Sequence, residues 1–520
     1  MPHLKTILLH GIPGALCLGF LLPLFFIFRE AGFSGRAALH TEAWPMVQGL
    51  TLTTLHVSCV AVTVALILGG GAAWAVNGWN FAGRRVVSVL LCLPFALPPY
   101  LLAGIYREVQ RREMLPLPEF ENPFGAGLLL GLALYPWVYL PLKAQLAMQS
   151  GHYGELGQSL GLSRWQRFLR IHLGLLLPTL GITALLVLMD VVSDFGTVSM
   201  LGVKTLSVGI HDAMFDMYRR DWAAQLSVFG LALPVMAVLL FGLWGRRRGV
   251  YQPTNRNRPQ PPRMASPAQQ AVLLAGLGLL LTTAFFFPVG MLIHWARVYM
   301  AKISLNELPE QVGNTLWVTL LVSALTLLIA VGLNLLLRLR RDLRVWRGIT
   351  IWINLNYALP SVMLAIAVLF LSTGLPEGMT DLLLSESIGL LVLAGCLGYL
   401  CFPWFSMRSG LEALSPRLDD LCTTLNVKAM EKTFKIYLPL LRRSVACGCL
   451  LVLVNMAKEL PLSQILQPFG FQSLSMRLYS FAGMGLLEES ALYALCLIAL
   501  ALYPVVALDR LITGRREASC

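Results

Sequence analysis

Long apolar runs recur through the sequence and limit the folds open to this chain. They fall at about 7–28, 52–76, 86–106, 125–147, 174–193, 223–244, 270–295, 312–337, 349–372, 388–407, 440–458 and 491–509. Each is close to the roughly 20 residues that a helix needs to cross the hydrocarbon core of a membrane. Within that core only helices and closed barrels satisfy every backbone polar group. The pattern therefore predicts an all-α polytopic membrane protein with about twelve transmembrane helices.

Charge supports this class and indicates an orientation. Charged residues make up only 13% of the 520, whereas a soluble chain has about a quarter. The net charge of +13 comes from basic residues that gather in alternate loops, as the positive-inside rule requires when both termini are cytoplasmic. The basic excess therefore indicates topology, and no nucleic-acid partner is expected.

The chain also repeats itself. The segment 96–103 aligns with 358–365 at an offset of 262, Thr54 with Thr315 at 261, and 205–207 with 473–475 at 268. Such a repeat predicts two tandem six-helix domains in the same orientation. We place the first at 1–244 and the second at 270–520. The segment 245–269 between them holds five prolines and no acid, so we expect a cytoplasmic linker that is extended and poorly ordered.

One polar stretch is duplicated with constant spacing, after the fourth apolar run of each half. Glu155, Gly161 and Ile171 correspond to Asp420, Asn426 and Ile436, each pair 265 residues apart. Apolar positions match too: Leu156 with Leu421, Leu160 with Leu425, and Leu169 with Phe434. The pattern predicts two short amphipathic helices on the cytoplasmic side. They meet at an elbow formed by Gly161 or Asn426, residue types that readily adopt positive φ.

The pattern E-x5-G-x9-I-x-L-P resembles the coupling loop of permease subunits of type I ABC importers, and the resemblance covers nearly the whole chain as two fused permease domains. It implies the MetI-like permease fold in a bacterial inner membrane, with coupling loops at 153–173 and 418–439. It also implies two ATP-binding cassette subunits that dock on these loops, and an external substrate-binding protein. The chain itself would bind no cofactor and catalyse no reaction, since ATP and Mg would bind the partner subunits. The docking residues that it implies are Glu155, Gly161, Ile171, Leu173, Asp420, Asn426, Ile436, Leu438 and Pro439.

The copies depart from this pattern at three positions: Gly174 replaces proline in the first, and Asp420 and Asn426 replace glutamate and glycine in the second. A phosphate-binding G-x-x-x-x-G-K-[ST] loop does not occur in the sequence. An ATPase would therefore be a separate chain.

Cargo is indicated less directly. Segments 193–197 and 458–461 resemble those of ferric-iron permeases, while fused permeases for thiamine and for organophosphonates share the layout. The residues that we expect along the substrate path are Asp190, Asp194, Phe195, Asn455 and Glu459. Acids at matching positions near the ends of two spans are costly unless paired or facing water, and oxygen ligands suit ferric iron. Two structural alternatives stay open: each carboxylate caps loop N–H groups, or Glu459 pairs with Lys458.

Two rival classes remain. An ion-coupled secondary transporter would carry coupling acids in mid-membrane, whereas the acids here lie near span ends. A membrane enzyme would need a catalytic set, and no nucleophile constellation is apparent.

Overall fold

The computed structural model describes residues 12–32, 44–116, 118–148, 159–161, 163, 166, 171, 173–246, 262–300, 306–340, 349–350, 353, 359–374, 388–428 and 431–513. The helices of the first half are α1 Ile12–Gly32, α2 Trp44–Gly78, α3 Arg84–Leu90, α4 Pro99–Arg111, α5 Pro123–Met148, α6 Leu173–Ser193, α7 Gly196–Met200, α8 Leu206–His211 and α9 Arg220–Arg246.

The helices of the second half are α10 Pro267–Leu281, α11 Phe287–Val298, α12 Leu308–Arg340, α13 Ser361–Gly374, α14 Gly389–Tyr399, α15 Cys401–Glu412, α16 Pro416–Thr424, α17 Leu438–Ala457, α18 Pro461–Leu466, α19 Leu474–Gly483 and α20 Ala491–Thr513. Short 3₁₀ turns span Leu93–Ala96 and Leu487–Ser490, and π-helical turns span Asp212–Asp216, Thr282–Phe286 and Lys432–Tyr437.

The all-α membrane class is confirmed. Within the described ranges, nine helices are long and apolar enough to cross a membrane, or ten if one bent pair counts as a single span. The predicted number of twelve is not established by these residues and stays a prediction.

The third predicted span is bent at its prolines. Its two parts, Arg84–Ala96 and Pro99–Arg111, meet at 88°. Pro98 is extended, with φ −59° and ψ 137°, and Pro99 begins the next helix. Proline has no N–H to donate and excludes helical geometry from the preceding residue. These two properties of proline account for the bend at Pro98 and Pro99.

The end of the linker is more ordered than its composition predicts. Arg263–Met264 (β2) pairs in parallel with Trp79–Asn80 (β1), and the Ala265 N–H donates to the Asn80 carbonyl at 3.1 Å. Ser266 then caps α10 in a capping box with Gln269, and Pro267 is its first residue. The expectation of a poorly ordered linker is thus wrong for 263–269. Backbone pairing needs no side-chain pattern, so the composition did not indicate it.

The chain forms two compact units that do not coincide with its sequence halves. Unit 1 contains 1–44, 209–231 and 304–480, and unit 2 contains 45–208, 232–303 and 481–520. Each unit thus combines the central helices of one repeat with end segments of the other. In unit 1, for example, α1 packs on α13 so closely that a Cβ added at Gly374 would meet the Phe26 ring at 2.1 Å. The predicted boundaries at 244 and 270 describe the repeat in sequence and stay a prediction.

Equivalent backbone hydrogen bonds occur in both repeats. In unit 2 the Leu206 N–H donates to the Thr54 hydroxyl, and in unit 1 the Leu474 N–H donates to the Thr315 hydroxyl, both at 2.9 Å. Positive φ angles pair in the same way at Gly161 and Asn426, Gly202 and Gly470, and Tyr218 and Gly485. The sequence repeat is therefore also a structural repeat.

We expect Thr54→Val and Thr315→Val each to lower the free energy of unfolding by about 1–3 kcal/mol, because each leaves a buried backbone N–H unsatisfied. Thermal unfolding of the purified protein measures the loss. Thr63→Val is the control, since the exposed Thr63 hydroxyl contacts only the Cys59 carbonyl within its own helix. Equal effects of all three substitutions would contradict the assignment.

Candidate functional site

The positive φ predicted at the elbow is present in both copies of the duplicated stretch. Gly161 has a φ of +68° and Asn426 a φ of +51°. Asparagine is one of the few residues with a side chain that occupies this region at moderate cost. The predicted conformation is thus confirmed at both positions. Glu155 lies outside the described residues.

The second stretch is a helix, a bend and a π-helical turn. Ser415 caps α16, with its hydroxyl accepting from the Arg417 N–H at 3.3 Å and Pro416 as the first residue. After α16 the Val427 N–H donates to the Cys422 carbonyl at 2.9 Å, which closes the turn around Asn426. The turn Lys432–Tyr437 then leads directly into α17. The resemblance predicts a coupling loop at 418–439, and we refer to the observed segment 416–437, which overlaps it, as the second coupling loop.

Three large apolar side chains of this loop are exposed. Leu421, Leu425 and Phe434 are 60%, 73% and 59% exposed. Leu160, which corresponds to Leu425 in the first copy, is 73% exposed. Contiguous exposed apolar side chains mark surfaces that another protein or a membrane covers. The apolar positions that match between the two copies of the sequence already indicated these exposed side chains, whereas the motif residues did not.

The predicted docking residues divide into two groups. Asp420, Asn426 and Pro439 are exposed, whereas Ile171, Leu173, Ile436 and Leu438 are half-buried. Ile436 packs against a buried cluster formed by Leu335, Met407, Leu411, Tyr437 and Leu441. It therefore packs the second coupling loop against its helices, and its predicted contact with an ATPase stays a prediction. The spacing predicted the bend at Asn426 but did not indicate which side chains around it are exposed.

A buried acid that sequence reasoning missed joins this loop to its helices. Asp419 contacts Arg338 Nη2 at 3.1 Å and Lys432 Nζ at 2.9 Å, and it accepts a short hydrogen bond from the Tyr437 hydroxyl. Burial alone would raise the pKa of Asp419, but these hydrogen bonds and the charges of Arg338 and Lys432 lower it below its ordinary value. The ion pairs are thus complete at neutral pH and are lost only as the pH falls through that lowered pKa.

The predicted path residues lie at the opposite ends of the helices that follow the coupling loops. In unit 2, Asp194 accepts from the Thr197 N–H at 2.9 Å, the Thr197 hydroxyl at 2.8 Å and the Val198 N–H at 3.2 Å. In unit 1, Glu459 accepts from the Leu462 N–H at 3.3 Å and a short bond from the Tyr399 hydroxyl. Both carboxylates therefore cap the short helix that follows, as the first structural alternative predicts. Contact of these two carboxylates with cargo stays a prediction.

The other predicted path residues are buried or half-buried. Asp190 is half-buried on α6, and Phe195 is 3% exposed beside Asp194. Asn455 is buried on α17 and donates to the Leu451 carbonyl at 2.8 Å. Among the residues that the structure describes, three or more His, Cys, Asp or Glu side chains do not come together as a metal site.

Comparison with known proteins gives a consistent result. No family model matches the chain. It is 24% identical over 522 residues to a Fe(3+)-transport system permease protein of Haemophilus influenzae, covering 97% of both chains. It is 29% identical over 234 residues to a sulfate transport system permease protein of Escherichia coli, covering 42% of this chain and 79% of that one. It is 24% identical over 211 residues to a molybdenum transport system permease protein of Azotobacter vinelandii, covering 38% of this chain and 92% of that one.

The coverage of these matches agrees with the structural repeat, because the sulfate and molybdenum permeases each match less than half of this chain with most of their own length. The iron permease matches both halves together. Together with the all-α membrane fold and the positive φ at both elbows, these similarities support the resemblance: along its whole length the chain is similar to ABC-transporter permeases, and it contains two such repeats in one polypeptide.

Proposed function

We propose that this permease forms the translocation path of an ATP-driven importer for ferric iron in a bacterial inner membrane. The observation that carries the proposal is the similarity to an iron permease along 97% of both chains. In this proposal an external binding protein delivers the cargo, and two separate ATP-binding subunits supply the energy. Both termini are cytoplasmic, so the coupling loops face the ATPases.

The exposed apolar side chains of the second coupling loop support the ATPase arrangement. Leu421 and Leu425 lie on a cytoplasmic loop in the proposed topology, where lipid does not cover them, and water contact would be unfavourable. An ATPase groove lined with apolar side chains would remove this surface from water. ATP and Mg would bind only to those subunits.

Cargo is tested by uptake of radiolabelled ferric iron in a strain that lacks this gene, with and without the gene restored. Uptake of radiolabelled sulfate and molybdate is measured in parallel, because two relatives that match less than half of this chain are named as permeases of sulfate and molybdenum transport systems. Unlabelled thiamine and an organophosphonate serve as competitors. We expect restoration of iron uptake alone; restoration of oxyanion uptake, or competition by thiamine or the phosphonate, would overturn the iron assignment.

The proposed path acids give a sharper prediction. We expect Asp194→Asn and Glu459→Gln each to reduce iron uptake at least about tenfold, because both amides keep a carbonyl oxygen that can cap but lose the charge that a cation would meet. Melting temperature and membrane abundance of the variants are measured alongside uptake. Full uptake by both variants would assign these residues a capping role only.

A further inference from the structure

The second coupling loop is joined to the membrane helices by a set of buried charges at Asp419. Its carboxylate contacts Arg338 at the end of α12, and it also contacts Lys432 and Tyr437 at the end of the loop itself. Asp419 is 8% exposed and Lys432 is 9% exposed. Because the acid lies near the start of the loop, these contacts close the loop into a ring.

Arg338 extends the attachment to a third helix. Its guanidinium donates to the Leu411 carbonyl by a short bond and to the Leu414 carbonyl at 3.4 Å, at the end of α15. Carbonyls at a helix C-terminus lack partners within the helix, so an arginine there satisfies them. The guanidinium also lies 5.4 Å from the centre of the Tyr437 ring. One side chain thus links α12, α15 and the second coupling loop.

The first repeat does not have this set of residues. At the constant offset of 265, Asp419, Lys432 and Tyr437 correspond to Gly154, Arg167 and His172. At the offset of 261 that relates α2 to α12, Arg338 corresponds to Asn77. The acid and its arginine are therefore both replaced by neutral residues. At the same end of α2, Arg84 donates to the Val76 carbonyl at 2.6 Å.

We infer that Asp419 is a positioning residue that makes the second coupling loop a rigid lever, and that the sequence of the first repeat lacks the acid and the arginine that form this attachment. This rests on the proposed function, in which the loops carry ATPase movement into the membrane. Movement of an ATPase at the second loop then shifts α12, α15 and α17 together. The two fused halves are accordingly unequal in how tightly hydrolysis is coupled to transport.

The first test needs neither cargo nor ATPase. Hydrogen–deuterium exchange is measured on the full purified chain in lipid nanodiscs, over the amides of 416–428. We expect Asp419→Asn to raise the exchange rate of these amides at least about tenfold. The substitution weakens hydrogen bonds to a charged group, and their usual strength corresponds to about that change in local stability. Asp419→Glu restores the charge and should recover most of the protection. Glu412→Gln is the matched control, because Glu412 forms only an exposed ion pair with Arg408 at 2.8 Å.

A second variant keeps the test valid if Asp419→Asn does not fold. The double substitution Asn77→Arg with Gly154→Asp introduces the acid and the arginine at the corresponding positions of the first repeat, where Arg167 aligns with Lys432. We expect slower exchange in 151–163 without change in 416–428. Unchanged exchange in both loops, for both sets of variants, would overturn the inference.

The functional test measures ATP hydrolysed per ferric ion imported, in proteoliposomes containing the permease, its ATPase subunits and iron-loaded binding protein. We expect this ratio to rise severalfold in Asp419→Asn and to return towards the native ratio in Asp419→Glu. A loss of stability alone would lower hydrolysis and import together and leave the ratio unchanged. If the native protein shows no ATP-dependent import, the proposed function fails; if it does and Asp419→Asn keeps the native ratio, only the inference fails.

Discussion

Replacing Leu421 and Leu425 by alanine will weaken binding of the ATPase subunits by about 100-fold, with a corresponding loss of uptake at limiting ATPase. Both side chains are more than half exposed on the second coupling loop. Burying a leucine side chain stabilises a complex by about 1.5–3 kcal/mol. Losing most of this burial free energy at both positions amounts to about 3 kcal/mol, or roughly two orders of magnitude in affinity.

The measurement is titration of the purified ATPase subunit onto nanodisc-embedded permease. Leu328→Ala is the control, because Leu328 is 72% exposed in the middle of α12, a membrane-spanning helix. That surface contacts lipid in our account, and truncating it should leave ATPase binding unchanged. Wild-type affinity in the double variant would mean that this side of the loop is not the docking surface.

Lys143→Met will cause the largest single loss of stability, about 3–5 kcal/mol, because it leaves Asp509 buried without its cation. Lys143 Nζ lies 2.5 Å from Asp509 Oδ1, and the side chains are 8% and 2% exposed. The pair joins α5 to α20 in unit 2. Cys92 adds a weak contact, with Sγ 3.5 Å from the same oxygen.

The double variant Lys143→Met with Asp509→Leu should recover most of that loss, since replacing both charges of a buried pair by apolar groups is often neutral. Thermal unfolding of the two single variants and the double variant forms a complete cycle. Additive losses in the double variant would show that the two charges do not stabilise each other.

The features that local chemistry determines were predictable from the sequence. Positive φ at Gly161 and Asn426 follows from the residue types, and the bend at Pro98 follows from the proline ring. The offset between the halves also placed equivalent threonines correctly, as the hydrogen bonds of Thr54 and Thr315 show. Each of these depends on a few neighbouring residues.

Packing between helices was not predictable in this way. Spans that are apolar all round give no indication of which neighbour they contact, so the assignment of α1 to unit 1 and of α20 to unit 2 could not be foreseen. The adjacent acids Asp419 and Asp420 show the same limit: motif spacing selects the exposed Asp420, while packing buries Asp419 beside Arg338. Only the three-dimensional contact shows which acid supports the second coupling loop.

ATP-dependent uptake of ferric iron by the reconstituted permease tests the central claim most directly. Proteoliposomes are prepared with the permease alone, with added ATPase subunits, and with ATPase subunits plus the Leu421→Ala/Leu425→Ala permease. Our account predicts iron accumulation only when native permease, ATPase, ATP and loaded binding protein are all present. Accumulation by the permease alone, driven by an ion gradient, would contradict it.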